Sequence, residues 1–123
     1  MRLLITGGRD YMDFQALSET LDTLHAQTPV TLLIHGGARG ADALSGAWAA
    51  FRDIPTRVFP ADWATHGKAA GHIRNQQMLD QAHPDAYLDF PGGRGTQDMV
   101  ARCRKQGVPR AIPRRPQDPL DLI

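Results

Sequence analysis

The chain has 123 residues, 14 basic and 13 acidic side chains and a formal net charge of +1, enough for one domain with an ordinary core and too little for two. The near balance of charge gives no bulk attraction to nucleic acid or to an anionic membrane, so any binding chemistry must be local. A single cysteine, Cys103, excludes an intramolecular disulfide, and no apolar run approaches the roughly 18 residues of a membrane span. With no signal-peptide pattern before the first strand, these features lead us to expect a cytoplasmic protein.

Arg2 to Thr6 reads as a strand buried on both faces, ending at Gly7-Gly8. Phe14, Leu17, Leu21 and Leu24 then recur at helical spacing behind Asp13, a capping residue. Thr31 to His35 predicts a second strand, Gly36 to Gly40 a tight loop, and Leu44, Ala47, Trp48 and Phe51 a helix stripe. Thr56 to Phe59 predicts a third strand. The polar segment Pro60 to Gly71 reads as the longest loop, leading into a helix around Ile73 to Ala82 with Ile73, Met78, Leu79 and Ala82 as buried positions. Ala86 to Phe90 predicts a fourth strand and Pro91 to Gly95 a turn. Thr96 is expected to cap a helix carrying Met99, Val100 and Cys103 as far as Gly107, and Val108 to Ile112 a fifth strand. Residues 1–112 thus form one domain, and 113–123 (PRRPQDPLDLI), with three prolines, an irregular tail.

Strands alternating with helices over short connections imply an α/β fold: a single Rossmann-like three-layer domain, a mainly parallel sheet of about five strands and helices on both faces. In such a sheet the loops after each strand emerge at one end, where the strand order reverses and ligands bind. Three glycine-rich loops are expected there, each with an arginine: Gly7-Gly8-Arg9-Asp10, Gly36-Gly37-Ala38-Arg39-Gly40 and Pro91-Gly92-Gly93-Arg94-Gly95-Thr96. Backbone N–H groups at helix starts, with arginines beside them, favour a phosphate. Any one of these loops also reads as a plain turn. None is a Walker loop or a GxGxxG fingerprint, which disfavours an ordinary ATPase or dehydrogenase.

The PGGRGT run at 91–96, preceded by Arg74-Asn75-Gln76-Gln77-Met78, resembles the PGGxGT and RxxxM motifs of lysine decarboxylase-like proteins, among them the LOG phosphoribohydrolases. With GGRDY (7–11), HGGARGAD (35–42), PADW (60–63) and HGKAAG (66–71), the chain over about residues 1–112 is closer still to the YspA-like group (DUF2493) of the SLOG superfamily. That resemblance implies a Rossmann-like fold binding nucleotides or nucleotide-derived signals. In the LOG branch it also implies hydrolysis of an N-glycosidic bond. Arg74 matches the active-site arginine of that branch, and Gly92, Gly93, Gly95 and Thr96 match its phosphate-binding turn. The LOG pattern PGGxGTxxE has a glutamate where this chain has Met99; Asp98, one residue earlier and shorter, is the nearest carboxylate.

Asp42 has two readings, a ribose-binding or general-base carboxylate and a plain helix-start residue. Tyr11 and Trp63 are candidate base contacts. Lys68, His66 and His72 could close over phosphate or supply a proton, or belong to a solvated loop. No histidine spacing fits zinc, and Cys103 reads as core.

The leading expectation is a sensor or binding module for a nucleotide-derived ligand, ADP-ribose-like or a nucleoside monophosphate, with no cofactor required. Its binding residues are those of the three loops together with Asp42, Lys68, Arg74 and Asn75. The first alternative is an N-glycosidic or phosphoribosyl hydrolase using Arg74, Asp98 and Asp42. The second is a single-stranded DNA-binding accessory protein, supported only by Arg110, Arg114 and Arg115. LOG-like relatives imply a homodimer or higher homo-oligomer; no membrane partner is expected and nucleic acid is disfavoured.

Overall fold

The computed structural model describes residues 1–112. Four strands, β1 (Arg2–Thr6), β2 (Leu32–His35), β3 (Thr56–Val58) and β4 (Ala86–Asp89), form one sheet in the order β3-β2-β1-β4, with every neighbouring pair parallel. Five α-helices connect or follow them: α1 (Phe14–Gln27), α2 (Ala41–Phe51), α3 (Trp63–His66), α4 (Ala70–Ala82) and α5 (Arg94–Lys105).

The period of two along β1, β2 and β4 sends alternate side chains into two separate cores, whereas the three residues of the edge strand β3 are exposed. Leu3, Ile5, Leu33 and Leu88 meet Leu17, Leu21, Leu24 and Trp48 of α1 and α2 on one face. Leu4, Ile34 and Tyr87 meet Met78, Leu79, Met99 and Cys103 of α4 and α5 on the other. The chain steps from β1 outward to β3, then returns across the sheet to place β4 beside β1. Because parallel crossovers are right-handed, reversing direction moves the connecting helix to the opposite face. The switch point therefore lies between β1 and β4, whose following helices diverge to opposite sides and open a crevice.

The architecture is the expected three-layer α/β domain, with four strands in place of about five. Over Val108 to Ile112 the chain makes only an isolated parallel bridge, Arg110 to Tyr87. It is held by Tyr87 N–H to the Pro109 carbonyl at 2.9 Å and Ala111 N–H to the Tyr87 carbonyl at 2.7 Å. Pro109 has no N–H to give to a ladder, so pairing stops there.

Other boundaries also moved. Pro60 to Gly71 is not irregular: Asp62 Oδ1 accepts from Thr65 N–H at 3.1 Å and caps α3, and a 3₁₀ turn (Gly67–Ala69) carries the chain into α4 three residues before Ile73. Ile73 itself is only partly buried. Thr96 does not cap α5, because the helix begins at Arg94 behind Gly93 and Thr96 lies within its first turn. In α2 the buried positions are Ala41, Asp42, Ser45, Trp48 and Ala49, so the stripe misses Ala47 and leaves Phe51 78% exposed at the helix end. Asp13 does cap α1, accepting from Ala16 N–H at 3.0 Å. The proline-rich tail, 113–123, lies outside the described residues. No helix among the described residues is long and apolar enough to cross a membrane.

Candidate functional site

The three glycine loops converge at the carboxyl ends of the strands. Loops one and three touch backbone to backbone: Gly8 N–H donates to the Pro91 carbonyl at 2.9 Å, and a Cβ at Gly8 would stand 2.7 Å from that oxygen. Loop two joins them through Ala41 N–H, which donates to the Gly8 carbonyl at 3.1 Å. Gly40 takes φ +77 against the Gly8 and Arg9 backbone, where no side chain fits. A Cβ at Gly92 would stand 2.6 Å from Gly8 N, so Gly8, Gly40 and Gly92 each have a packing reason of their own.

Gly93 and Gly95 differ, since a Cβ at either would meet nothing within 4 Å. Both border a cavity of about 400 Å³. Its floor is Ile5, Thr6, Met78 and Met99, and its walls include Gly7, Gly8, Arg9, Asp42, Trp63, Lys68, His72, Arg74, Asn75, Arg94 and Thr96. This volume falls within the range of small-molecule sites.

Arg74 reaches the cavity from α4 and is fixed from two sides. Its Nη1 donates to the Gly36 carbonyl at 2.6 Å and to the Phe59 carbonyl at 3.3 Å, and its Nε to Asn75 Oδ1 at 3.0 Å. Gly36 has to be glycine for this, since a Cβ there would stand 2.6 Å from the guanidinium carbon. Burial lowers the proton affinity of Arg74, Asp42 raises it and Arg9 lowers it, but a guanidinium remains charged throughout. Asn75, itself buried, donates to Asp98 Oδ2 at 3.0 Å and to the Gly95 carbonyl at 3.3 Å, coupling Arg74 to the third loop.

Asp42 braces the second loop. Its Oδ2 accepts from Gly36 N–H at 3.1 Å and Ala38 N–H at 3.2 Å, and burial pushes its carboxyl above the usual range against those hydrogen bonds and the neighbouring His35 and Arg74. His35 Nδ1 accepts from Gly37 N–H at 3.0 Å, and burial lowers its proton affinity. The two readings of Asp42 thus coincide: it starts α2 and borders the cavity.

Asp98 does not line the cavity. Its Oδ2 accepts from Arg102 Nε at 2.8 Å and its Oδ1 faces His72 Nδ1 at 3.0 Å. Burial works against its charge, yet hydrogen bonds from Arg102, Asn75 and His72 outweigh it and hold the carboxyl below the usual range. Met99, at the LOG glutamate position, is 1% exposed on the floor.

Not every anticipated residue is brought together. Tyr11 packs against Phe90 with ring centroids 5.2 Å apart, away from the cavity. Asp10 is outside as well, paired with Arg39 at 3.1 Å on the surface. Pro91 and Gly92 face a different hollow on the α5 side. Trp63 does border the cavity, with the Arg9 guanidinium carbon 5.5 Å from its ring centroid. Gly37 and Arg39 line a second, adjoining cavity of about 390 Å³. Sequence reasoning missed the floor: Met78 and Met99 read as core stripes because the periodic signal is the same whether a buried side chain meets another helix or a cavity.

The fold and site define a Rossmann-like α/β domain with a cationic, glycine-lined cleft at the switch point of its sheet. The model of the YspA, cpYpsA-related SLOG family matches residues 1–66, and the chain belongs to that family. It is also 40% identical over 116 residues to the Gene 61 protein of Mycobacterium phage D29, a match covering 88% of this chain and 92% of the phage protein.

Proposed function

We propose that the chain is a binding module for a nucleotide-derived ligand carrying at least one phosphate, seated in the cleft with its anion against the third loop and its body over the apolar floor. One observation carries this reading. Arg9, Lys68 and Arg94 border the cavity with no carboxylate engaging them among the described residues, whereas Arg39, Arg52, Arg102 and Arg110 each pair with an aspartate. Asp42, the one carboxylate in the wall among the described residues, is occupied by backbone N–H groups. An uncompensated cluster of cations beside a helix start is complementary to a phosphate. Ile5, Met78 and Met99 offer apolar surface to a base or sugar.

A second reading, hydrolysis of the bond between base and ribose, is favoured by His72, which stands at the cavity wall with its Nδ1 held by Asp98. Met99 supplies no carboxylate to stabilise positive charge on the sugar, which places this reading second.

The test is a thermal-shift and calorimetric titration with AMP and ADP-ribose, in which a ligand at 100 times its Kd adds about 2.7 kcal/mol of stability. Gly93→Asp is the discriminating variant. It has open space for the side chain and stands at the cap of α5, where aspartate is favourable, so the fold should keep its stability. Its carboxylate should repel the ligand phosphate and weaken binding by on the order of tenfold or more. No stabilisation by either nucleotide, or equal binding by the variant, would overturn the reading; release of free base would move it to the hydrolase.

A further inference from the structure

His72, half-exposed in the cavity wall, has one ring nitrogen committed and the other free. Its Nδ1 donates to Asp98 Oδ1 at 3.0 Å, and no described residue engages Nε2. Asp98 is itself held in place, because its Oδ2 accepts from Asn75 Nδ2 at 3.0 Å and from Arg102 Nε at 2.8 Å. The carboxylate therefore cannot turn away from the imidazole. In a neutral ring, a proton kept on Nδ1 by a carboxylate leaves Nε2 as an acceptor, the form in which histidine takes a proton from an attacking nucleophile. The pair thus has the parts of a general base and its orienting group, on the wall of a cleft whose cations lack partners.

The charge around this base decides which bond it can help to break. Cleaving a base from its ribose builds positive charge on the sugar. Arg9, Lys68, Arg74 and Arg94 oppose that charge, and Asp42 is occupied by the Gly36 and Ala38 N–H groups. Displacement at phosphorus instead spreads negative charge over the equatorial oxygens, which the same four cations stabilise. We infer that the cleft hydrolyses a phosphate monoester of its ligand, with His72 as general base and Asp98 as the positioning residue that holds its ring. A water gives a proton to His72 Nε2 while its oxygen forms the new bond to phosphorus. The bond from phosphorus to the ester oxygen breaks with its electron pair, and that oxygen takes the proton from His72. The products are the free alcohol and inorganic phosphate, with water as the only co-reactant.

The inference rests on the phosphate-ligand reading above, and the experiment separates the two. The full chain is titrated calorimetrically with AMP, and the same mixture is followed by chromatography for adenosine and phosphate against adenine and ribose 5-phosphate. The unaltered protein should release adenosine and phosphate in equal amounts. His72→Gln, at a half-exposed position, should slow release by about 100-fold or more while the Kd for AMP changes by less than about threefold. In Asp98→Asn, the donors on Arg102 and Asn75 require the amide oxygen at the Oδ2 position, which turns the NH2 group toward His72 Nδ1. That moves the ring proton to Nε2, so kcat should fall by about 100-fold or more with KM within about threefold, and adding His72→Gln should cost little further. AMP bound without release of phosphate, adenine as the product, phosphate release that survives His72→Gln, or an Asp98→Asn protein that keeps its kcat would overturn the hydrolysis and leave the binding site standing. Failure to bind AMP would overturn the phosphate-ligand reading, and this inference with it.

Discussion

His35 illustrates how a single buried side chain ties the site to solution conditions. It is 6% exposed at the end of β2, and its Nδ1 is already an acceptor for Gly37 N–H. Burial, the largest influence, lowers its proton affinity from the ordinary value of 6.5, partly offset by Asp42. The folded protein therefore holds this histidine neutral at a pH where the unfolded chain takes up a proton. The resulting stability is fully present above pH 6.5 and is lost as the pH falls through the lower folded value. Thermal unfolding followed from pH 8 to pH 5 should show His35→Gln with a flatter profile than the unaltered protein below about pH 6.5; parallel profiles would contradict this. The residue scale was only partly legible in the sequence. Arg74 was found by its motif, but its fixing by Gly36 and Phe59 joins residues 38 and 15 positions away, which no local pattern contains.

At the scale of elements, the caps behave as the residue types dictate. Asp13 accepts from Ala16 N–H at the start of α1, so Asp13→Ala should lower stability by about 1 kcal/mol in a denaturant titration with little effect on ligand affinity, because α1 is remote from the cavity lining. Asp62 does the same for α3, and the Asp-Trp-Ala-Thr signal was readable as a helix start. The polar composition of the segment as a whole outweighs it. The missing fifth strand has the opposite cause. Val108 to Ile112 has strand-like composition, but Pro109 removes a ladder donor and leaves a single bridge to Tyr87. Composition indicated the tendency and backbone hydrogen bonding decided the length.

Taken as a whole molecule, the fold is held by two cores that share one sheet, and Cys103 lies in the one beneath the site. Burial pushes its thiol up to about 12, so no appreciable thiolate forms near neutral pH while the protein is folded. Labelling by a disulfide reagent should proceed only through global opening, with a rate that follows denaturant as unfolding does, and saturating ligand should slow it in proportion to the stability gained. Rapid labelling in native buffer would show that the α4/α5 layer opens on its own.

The alternation of apolar runs and helical stripes determined the three-layer α/β class, because periods of two and 3.6 record which faces are buried. It also determined that glycine loops with arginines gather at one sheet end, since parallel strands leave no other place for them. The tertiary structure alone decided which glycines serve packing and which face open space, and that Asp98 turns to His72 and Arg102 while Met99 floors the cavity. It alone decided, too, that Arg9 and Arg74 both line two adjoining cavities. These are relations between residues distant in the chain, set by how β1, β2 and β4 lie side by side, and a one-dimensional pattern carries the burial of each residue but not the neighbour it is buried against.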